Sequence, residues 1–142
     1  MSIKYITTDP RLTPVKALPC DAAYDLRSSV SILVNPDQRV LISTGVSLEL
    51  PSHCVGLVCS KSGLALHYGI IVLNSPGIID SSYRGEIGVI VKNTGTKKYK
   101  VEQFSKIAQL LVLETSQYPL SLVTELSLTE RGDQGFGSTG LK

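Results

Sequence analysis

Two carboxylates, a Lys-Ser-Gly step, and a glycine-rich terminus are the parts of this sequence best suited to chemistry. Lys61-Ser62-Gly63 stands where an apolar run gives way to a turn. A cation, a hydroxyl and an unhindered backbone amide in succession suit a phosphate; a solvated lysine at a strand end is an equal alternative. Residues Pro76-Gly77-Ile78-Ile79-Asp80-Ser81-Ser82-Tyr83-Arg84-Gly85 have the pattern of a hairpin tip that projects Asp80 and Tyr83. An acid there can orient a water as general base, or cap its own turn, which is the commoner use of a lone aspartate. Asp25, after Ala22-Ala23-Tyr24, has the same two readings. One carboxylate suits Mg²⁺ through water when substrate phosphates complete the coordination.

Gly135-Phe136-Gly137-Ser138-Thr139-Gly140 matches G-x-G-x-x-G, but only Leu141 and Lys142 follow it. A dinucleotide site requires a strand before the motif and a helix after it, so that reading fails. The segment from Arg131 to Gly140 contains four glycines and one large apolar side chain, Phe136. It reads either as a disordered terminus or as an arm that orders over an anion, with Arg131, Ser138 and Thr139 as donors. His53 and His67 have no companion at a ligand or triad spacing, and neither is assigned a catalytic role.

These residues must be held by short strands. Val46, Leu48 and Leu50 alternate with Ser47 and Glu49, the period of a half-buried strand. Residues 30–34, 38–43, 55–59, 70–73, 87–91 and 106–113 read likewise, with turns at Asn35-Pro36-Asp37, Asn74-Ser75-Pro76-Gly77 and Asn93-Thr94-Gly95-Thr96. The one candidate helix is short, Ser62 to Gly69, with Leu64, His67 and Tyr68 on one face. The expected fold is therefore all-β, a sandwich, jelly roll or barrel, since a doubly wound α/β fold needs long helices between its strands.

With 142 residues the chain fits one domain. It is 42% hydrophobic and 18% charged, with a formal charge of +2, so it can bury a core but lacks the footprint of a non-specific nucleic-acid coat. The N-terminus lacks an export-type apolar region, and no run approaches the ~20 apolar residues of a membrane-spanning helix. Cys20, Cys54 and Cys59 are odd in number and have no C-x-x-C spacing, which argues for free thiols in a reducing compartment and a soluble, intracellular protein.

Taken in order, five segments resemble the motifs of the trimeric dUTPases. They are Asp21-Ala22-Ala23-Tyr24-Asp25-Leu26, Lys61-Ser62-Gly63-Leu64-Ala65, Asn74 to Gly85, Lys106-Ile107-Ala108-Gln109-Leu110, and Arg131 to Gly140. The resemblance spans about Asp21 to Gly140. It implies a jelly-roll-like catalytic domain over residues 1–128 with a flexible lid arm over 129–142. It also implies a homotrimer with active sites shared between subunits, and Mg²⁺-assisted hydrolysis of dUTP to dUMP and pyrophosphate. That reaction limits uracil incorporation into DNA and supplies dUMP for dTMP synthesis.

Carried onto this chain, the resemblance makes Asp80 the residue that activates the attacking water and Asp25 the one that holds Mg²⁺ through water. Lys61, Ser62, Gly63 and Gln109 bind phosphates, and Arg131, Gly137, Ser138 and Thr139 close from the arm. Asn74, Ile78, Ile79 and Gly88 hydrogen-bond uracil, Tyr83 packs under the deoxyribose, and Phe136 stacks on the base.

Three departures stand out: Ser60-Lys61 where the family has Pro-Arg, Ala23 where it has glycine, and Phe104-Ser105-Lys106 where it has Gly-Asp-Arg. Lysine keeps the charge of arginine but loses its planar fork, and Ala23 matters only if that position needs a positive φ. Two rivals remain. A dCTP deaminase on the same scaffold needs a glutamate at the position of Ile90, and a non-catalytic nucleotide-sensing module would not need the intact pair Asp25 and Asp80.

Overall fold

In the computed structural model, which describes residues 2–135, eleven short strands form antiparallel sheets around one apolar core. In chain order they are β1 (Lys4–Thr7), β2 (Tyr24–Arg27), β3 (Ile32–Val34), β4 (Arg39–Ser43), β5 (Val46–Glu49) and β6 (Cys54–Cys59). Helix α1 (Ser62–Tyr68) follows, then β7 (Ile70–Val72), β8 (Gly77–Ile79), β9 (Gly88–Asn93), β10 (Tyr99–Val101) and β11 (Lys106–Glu114). One sheet has the order β2-β11-β6-β8 and another β4-β9-β7, with β1-β5 and β10-β3 as two-stranded pairs. The all-β expectation with a single short helix holds.

Alternation builds the core. β5 buries Val46 and Leu48 and exposes Glu49; β9 buries Val89, Val91 and Asn93 and turns Gly88 and Ile90 outward. Leu26, Val34, Ile42, Val46, Val89 and Val91 are completely buried, each worth about 1.5–3 kcal/mol over the exposed state. One of the buried polar residues, Asn93, is satisfied on every side. Its Nδ2 donates to the carbonyls of Val34 (3.0 Å) and Lys97 (2.8 Å), and its Oδ1 accepts from Gly95 N–H (2.9 Å). It thereby ties β3 to the turn between β9 and β10.

The expected strands at residues 30–34, 38–43, 55–59, 70–73, 87–91 and 106–113 all appear, with ends shifted by one to two residues. β1, β2, β8 and β10 have no counterpart in the sequence reading. β1 carries three exposed side chains and is held by its pairing with β5. β2 and β10 interleave charges with apolar residues over only three or four positions. α1 ends at Gly69 in the left-handed conformation, its N–H donating to Ala65 O (3.1 Å). Of the face expected on that helix, Leu64 packs against the core, but His67 and Tyr68 are exposed. Tyr68 lies instead against Tyr99, ring centroids 5.0 Å apart.

Beyond β11, residues 115–135 form no strand or helix and lie at the surface, with Leu120, Leu122, Leu126 and Leu128 exposed to water. No helix among the described residues is long and apolar enough to cross a membrane.

Candidate active site

The central strand β11 organises the first of two recesses. Gln109 stands opposite Asp25 on β2 and opposite Cys59 at the end of β6, so three motifs distant in sequence meet across two ladders. Its Nε2 donates to Ser60 O (2.9 Å), fixing the segment that leads into Lys61. Asp25 is 7% exposed and sits between two ammonium groups. Lys61 Nζ donates to Oδ1, and Lys106 Nζ lies 2.6 Å from Oδ2. Burial works against the charge on Asp25. The hydrogen bonds from Lys106 and Lys61 outweigh it and hold the carboxyl below its ordinary range. The recess, about 380 Å³, is lined by Asp21, Ala22, Asp25, Lys61, Lys106 and Gln109 among others.

Lys61 is thus a half-buried partner of Asp25 rather than a solvated strand-end lysine. Ser62 and Gly63 open α1 with both residues exposed, and a Cβ on Gly63 would meet no atom within 4 Å. Ala23 does not have a positive φ; among the described non-glycine residues only Asp37 and Phe104 do. The exchange of glycine for alanine at that position is therefore free of backbone strain.

The second recess, about 240 Å³, is lined by Ile78, Ile79, Asp80, Tyr83, Glu86, Ile87 and Gly88. Here the hairpin expectation is corrected. β8 pairs with β6 and β9 pairs with β4 and β7, so residues 80–87 cross from one sheet to another. Ile78 and Gly77 follow the ladder of β6, and Gly88 that of β4, which leaves the two strands as opposite walls of a slot instead of a bonded pair. The turn is closed by the main chain, Tyr83 N–H donating to Asp80 O (3.0 Å). Asp80 is exposed at the mouth of the slot, and no ion pair among the described residues engages its carboxylate.

Tyr83 folds back over its own loop. Its hydroxyl donates to Glu86 O (2.9 Å), and its ring occupies the space a Cβ on Gly85 would need, Tyr83 Cζ lying 2.5 Å from that point. Asn74 lies in the turn after β7, its Nδ2 3.2 Å from where a Cβ on Gly77 would be. Ser60 stitches that turn to the Lys61 segment. Its Oγ accepts from Val72 N–H (2.8 Å), and its N–H donates to Ser75 Oγ (3.3 Å).

The expected residues therefore fall into two groups. Asp25, Lys61 and Gln109 line one recess and Ile78, Ile79, Asp80, Tyr83 and Gly88 the other, and the recesses share no lining residue. Ser62, Gly63 and Asn74 line neither recess, and nor does Arg131. It is exposed, and its Nε donates to Gln134 O (3.0 Å) in a turn. Phe136, Gly137, Ser138 and Thr139 lie outside the described residues. Sequence reasoning missed Lys106 as a partner of Asp25, and it missed Glu86 altogether. The pairing of β2 with β11 is what reveals the former, and no linear pattern marks it.

The family model for dUTPase matches residues 11–140. The deoxyuridine 5'-triphosphate nucleotidohydrolase of Clostridium novyi (strain NT) is 44% identical over 135 residues, covering 95% of each chain. That of Trichodesmium erythraeum (strain IMS101) is 43% identical over 129 residues, covering 91% of each. Among solved structures, the dUTPase of Staphylococcus bacteriophage 80alpha with dUPNHPP superposes with a TM-score of 0.92 at 25% identity, covering 99% of both chains. A mutant dUTPase of the S. aureus phage phi11, described with a structural Mg(II) ion, superposes at 0.83 with 21% identity, covering 90% of this chain and 100% of that one. Motif order, strand topology and relatives of matching length agree: the chain belongs to the dUTPase family, the dUTP diphosphatases.

Proposed function

We propose that copies of this chain bind dUTP between the Asp80 slot of one and the Asp25 recess of another and hydrolyse it to dUMP and pyrophosphate, limiting uracil entry into DNA and supplying dUMP for dTMP synthesis. The observation that carries the reading is the position of Asp80, a carboxylate that no ion pair among the described residues engages, at the mouth of a slot walled by β8 and β9. Backbone groups of Ile78, Ile79 and Gly88, with the Asn74 amide, match the donors and acceptors of uracil. A cytosine would leave polar groups unpaired in that slot, which is costly. Tyr83 lies under the deoxyribose and excludes a 2'-hydroxyl.

Phosphoryl transfer leaves a protein mostly positioning and charge stabilisation to do. Asp80 orients a water and accepts its proton as the water oxygen bonds the α-phosphorus; the bond to the bridging oxygen breaks and pyrophosphate leaves. Lys61, Ser62, Gly63 and Gln109 hold phosphate oxygens, and Lys106 keeps Asp25 ionised when Lys61 turns toward a phosphate. The arm, residues 129–142, brings Arg131, Gly137, Ser138 and Thr139 to the phosphates and Phe136 onto the base.

The residues fit Mg²⁺ in one way. No group of three or more potential metal ligands occurs among the described residues, so these build no closed cage of their own. A single hard carboxylate, Asp25, suits an ion held mainly by water and the triphosphate. Because both its oxygens already accept from lysines, it acts through water. When bound, the ion neutralises charge on the triphosphate and orients it.

The exposed leucines of residues 115–135 and the separation of the two recesses support a homotrimer with shared sites, working as a soluble intracellular enzyme without nucleic-acid or membrane partners. Deamination of dCTP is disfavoured because Ile90, outward-facing on β9, has no proton to shuttle. The test is pyrophosphate release from dUTP, dCTP, dTTP and UTP, with and without Mg²⁺. Release from dUTP alone, dependent on Mg²⁺, is expected; ammonia from dCTP, or no release from dUTP, overturns the reading.

A further inference from the structure

We propose that Glu86 is a positioning residue that locks the Tyr83 loop against the turn between β4 and β5 and so sets discrimination against ribonucleotides. The proposal rests on the role given above to Tyr83. Glu86 reaches the C-terminal end of β4, where Ser43 also pairs with Gly88. Its Oε1 accepts from Gly45 N–H (2.7 Å) and from the Ser43 hydroxyl. The Ser43 hydrogen bond, with help from the backbone N–H groups of Gly45 and Thr44, holds the Glu86 carboxyl below its usual range despite partial burial.

The receiving turn is rigid. Gly45 has φ +67°, and Thr44, fully buried, donates its hydroxyl to Ile87 O (2.6 Å). Ile87 N–H in turn donates to Val46 O (2.8 Å). The C-terminal end of the loop is therefore fastened by side chain and main chain at two successive residues, Glu86 and Ile87. The carbonyl of Glu86 is the acceptor for the Tyr83 hydroxyl. One residue thus uses its carboxylate to grip the scaffold and its carbonyl to hold the tyrosine. Releasing the carboxylate frees the carbonyl to swing, and the ring loses its fixed height in the slot. Asp80, three residues before Tyr83 in the same turn, shares that anchor through the Tyr83 N–H to Asp80 O bond.

The experiment compares kcat and KM for dUTP and UTP in wild type, Glu86→Ala, Glu86→Gln, Tyr83→Phe and the Glu86→Ala/Tyr83→Phe double variant, with thermal melts as the folding control. Removing a hydrogen-bonded charge is expected to lower the dUTP:UTP ratio of kcat/KM about tenfold in Glu86→Ala. Glu86→Gln should restore most of it, because its side-chain oxygen still accepts from Gly45 N–H. The effects of Glu86→Ala and Tyr83→Phe on the ratio should be non-additive, since both break one chain of contacts. A folded Glu86→Ala that turns over dUTP with the wild-type ratio, or fully additive effects, overturns the proposal. If Glu86→Ala does not fold, Ser43→Ala replaces it, with a smaller fall in the ratio expected and an unchanged ratio overturning the proposal. Absence of dUTP turnover in the wild type would overturn the functional reading and this proposal together, whereas an unchanged ratio with normal turnover overturns this proposal alone.

Discussion

Lys106 Nζ lies 2.6 Å from Asp25 Oδ2, on the carboxylate oxygen that Lys61 leaves free. The two lysines come from strand β11 and from the segment after β6, and they converge on β2 because β2 and β6 flank β11 in one sheet. The acid is therefore part of the sheet's stability as well as of the candidate site.

Its pH dependence follows from the sign of the shift. The folded-state pKa of Asp25 is depressed, so its stabilisation is complete above the unfolded value of about 3.9 and is lost as pH falls through the lower folded value. Asp25→Asn should cost about 1–3 kcal/mol at pH 7, a range below that of a fully buried pair because both lysines are partly solvated. Urea unfolding at pH 7 and pH 3 checks it: the gap between wild type and variant should shrink at the lower pH, and a constant gap contradicts the ion-pair account.

Asp80→Asn removes the proposed proton acceptor while keeping the shape of the slot. Turnover of dUTP should fall by about 10²–10⁴-fold, the usual contribution of a positioned general base. Binding of a non-cleavable dUTP analogue, measured by calorimetry, should persist. A variant that keeps most of its rate would remove Asp80 from the mechanism.

Truncation after Glu130 removes Arg131 and the whole glycine-rich stretch, none of which contributes a strand or a core side chain among the described residues. The shortened protein should melt at nearly the wild-type temperature and hydrolyse dUTP poorly. Full activity would refute the arm as a lid.

Gly45→Ala should be destabilising by about 1–3 kcal/mol, since the position combines φ +67° with a crowded Cβ site. The new methyl would stand 2.6 Å from Leu12 Cδ1 and against the Thr8 hydroxyl. Chemical denaturation measures the loss; an unaltered midpoint would mean the turn can relax.

The sheet core was legible because its residues alternate: Val46 and Leu48, or Val89 and Val91, announce a face in the linear text. β2 was not, because Asp25 and Arg27 flank its one deeply apolar residue, Leu26, and their partners lie far away in the chain: two lysines meet Asp25, and Arg27 donates to Phe104 O (2.8 Å). The slot beside Asp80 reads as a hairpin in the sequence for a related reason. Two apolar runs separated by turn residues look alike whether they pair with each other or with different neighbours, and only the ladders of β6 and β4 decide. Lys61, Gln109 and Asp25 were each visible as single candidates, while their meeting on one patch depended on the register of β11. Glu86 had no signal at all, since a carboxylate gripping a turn more than forty positions earlier leaves no periodic trace.

The bare leucines after β11 carry a cost for any molecule that stands alone. Each hydrates in the isolated chain, so association that covers them draws the folding equilibrium with it by mass action. The thermal midpoint should climb as the enzyme is concentrated, and dilution should make the tail the first stretch cut by a protease.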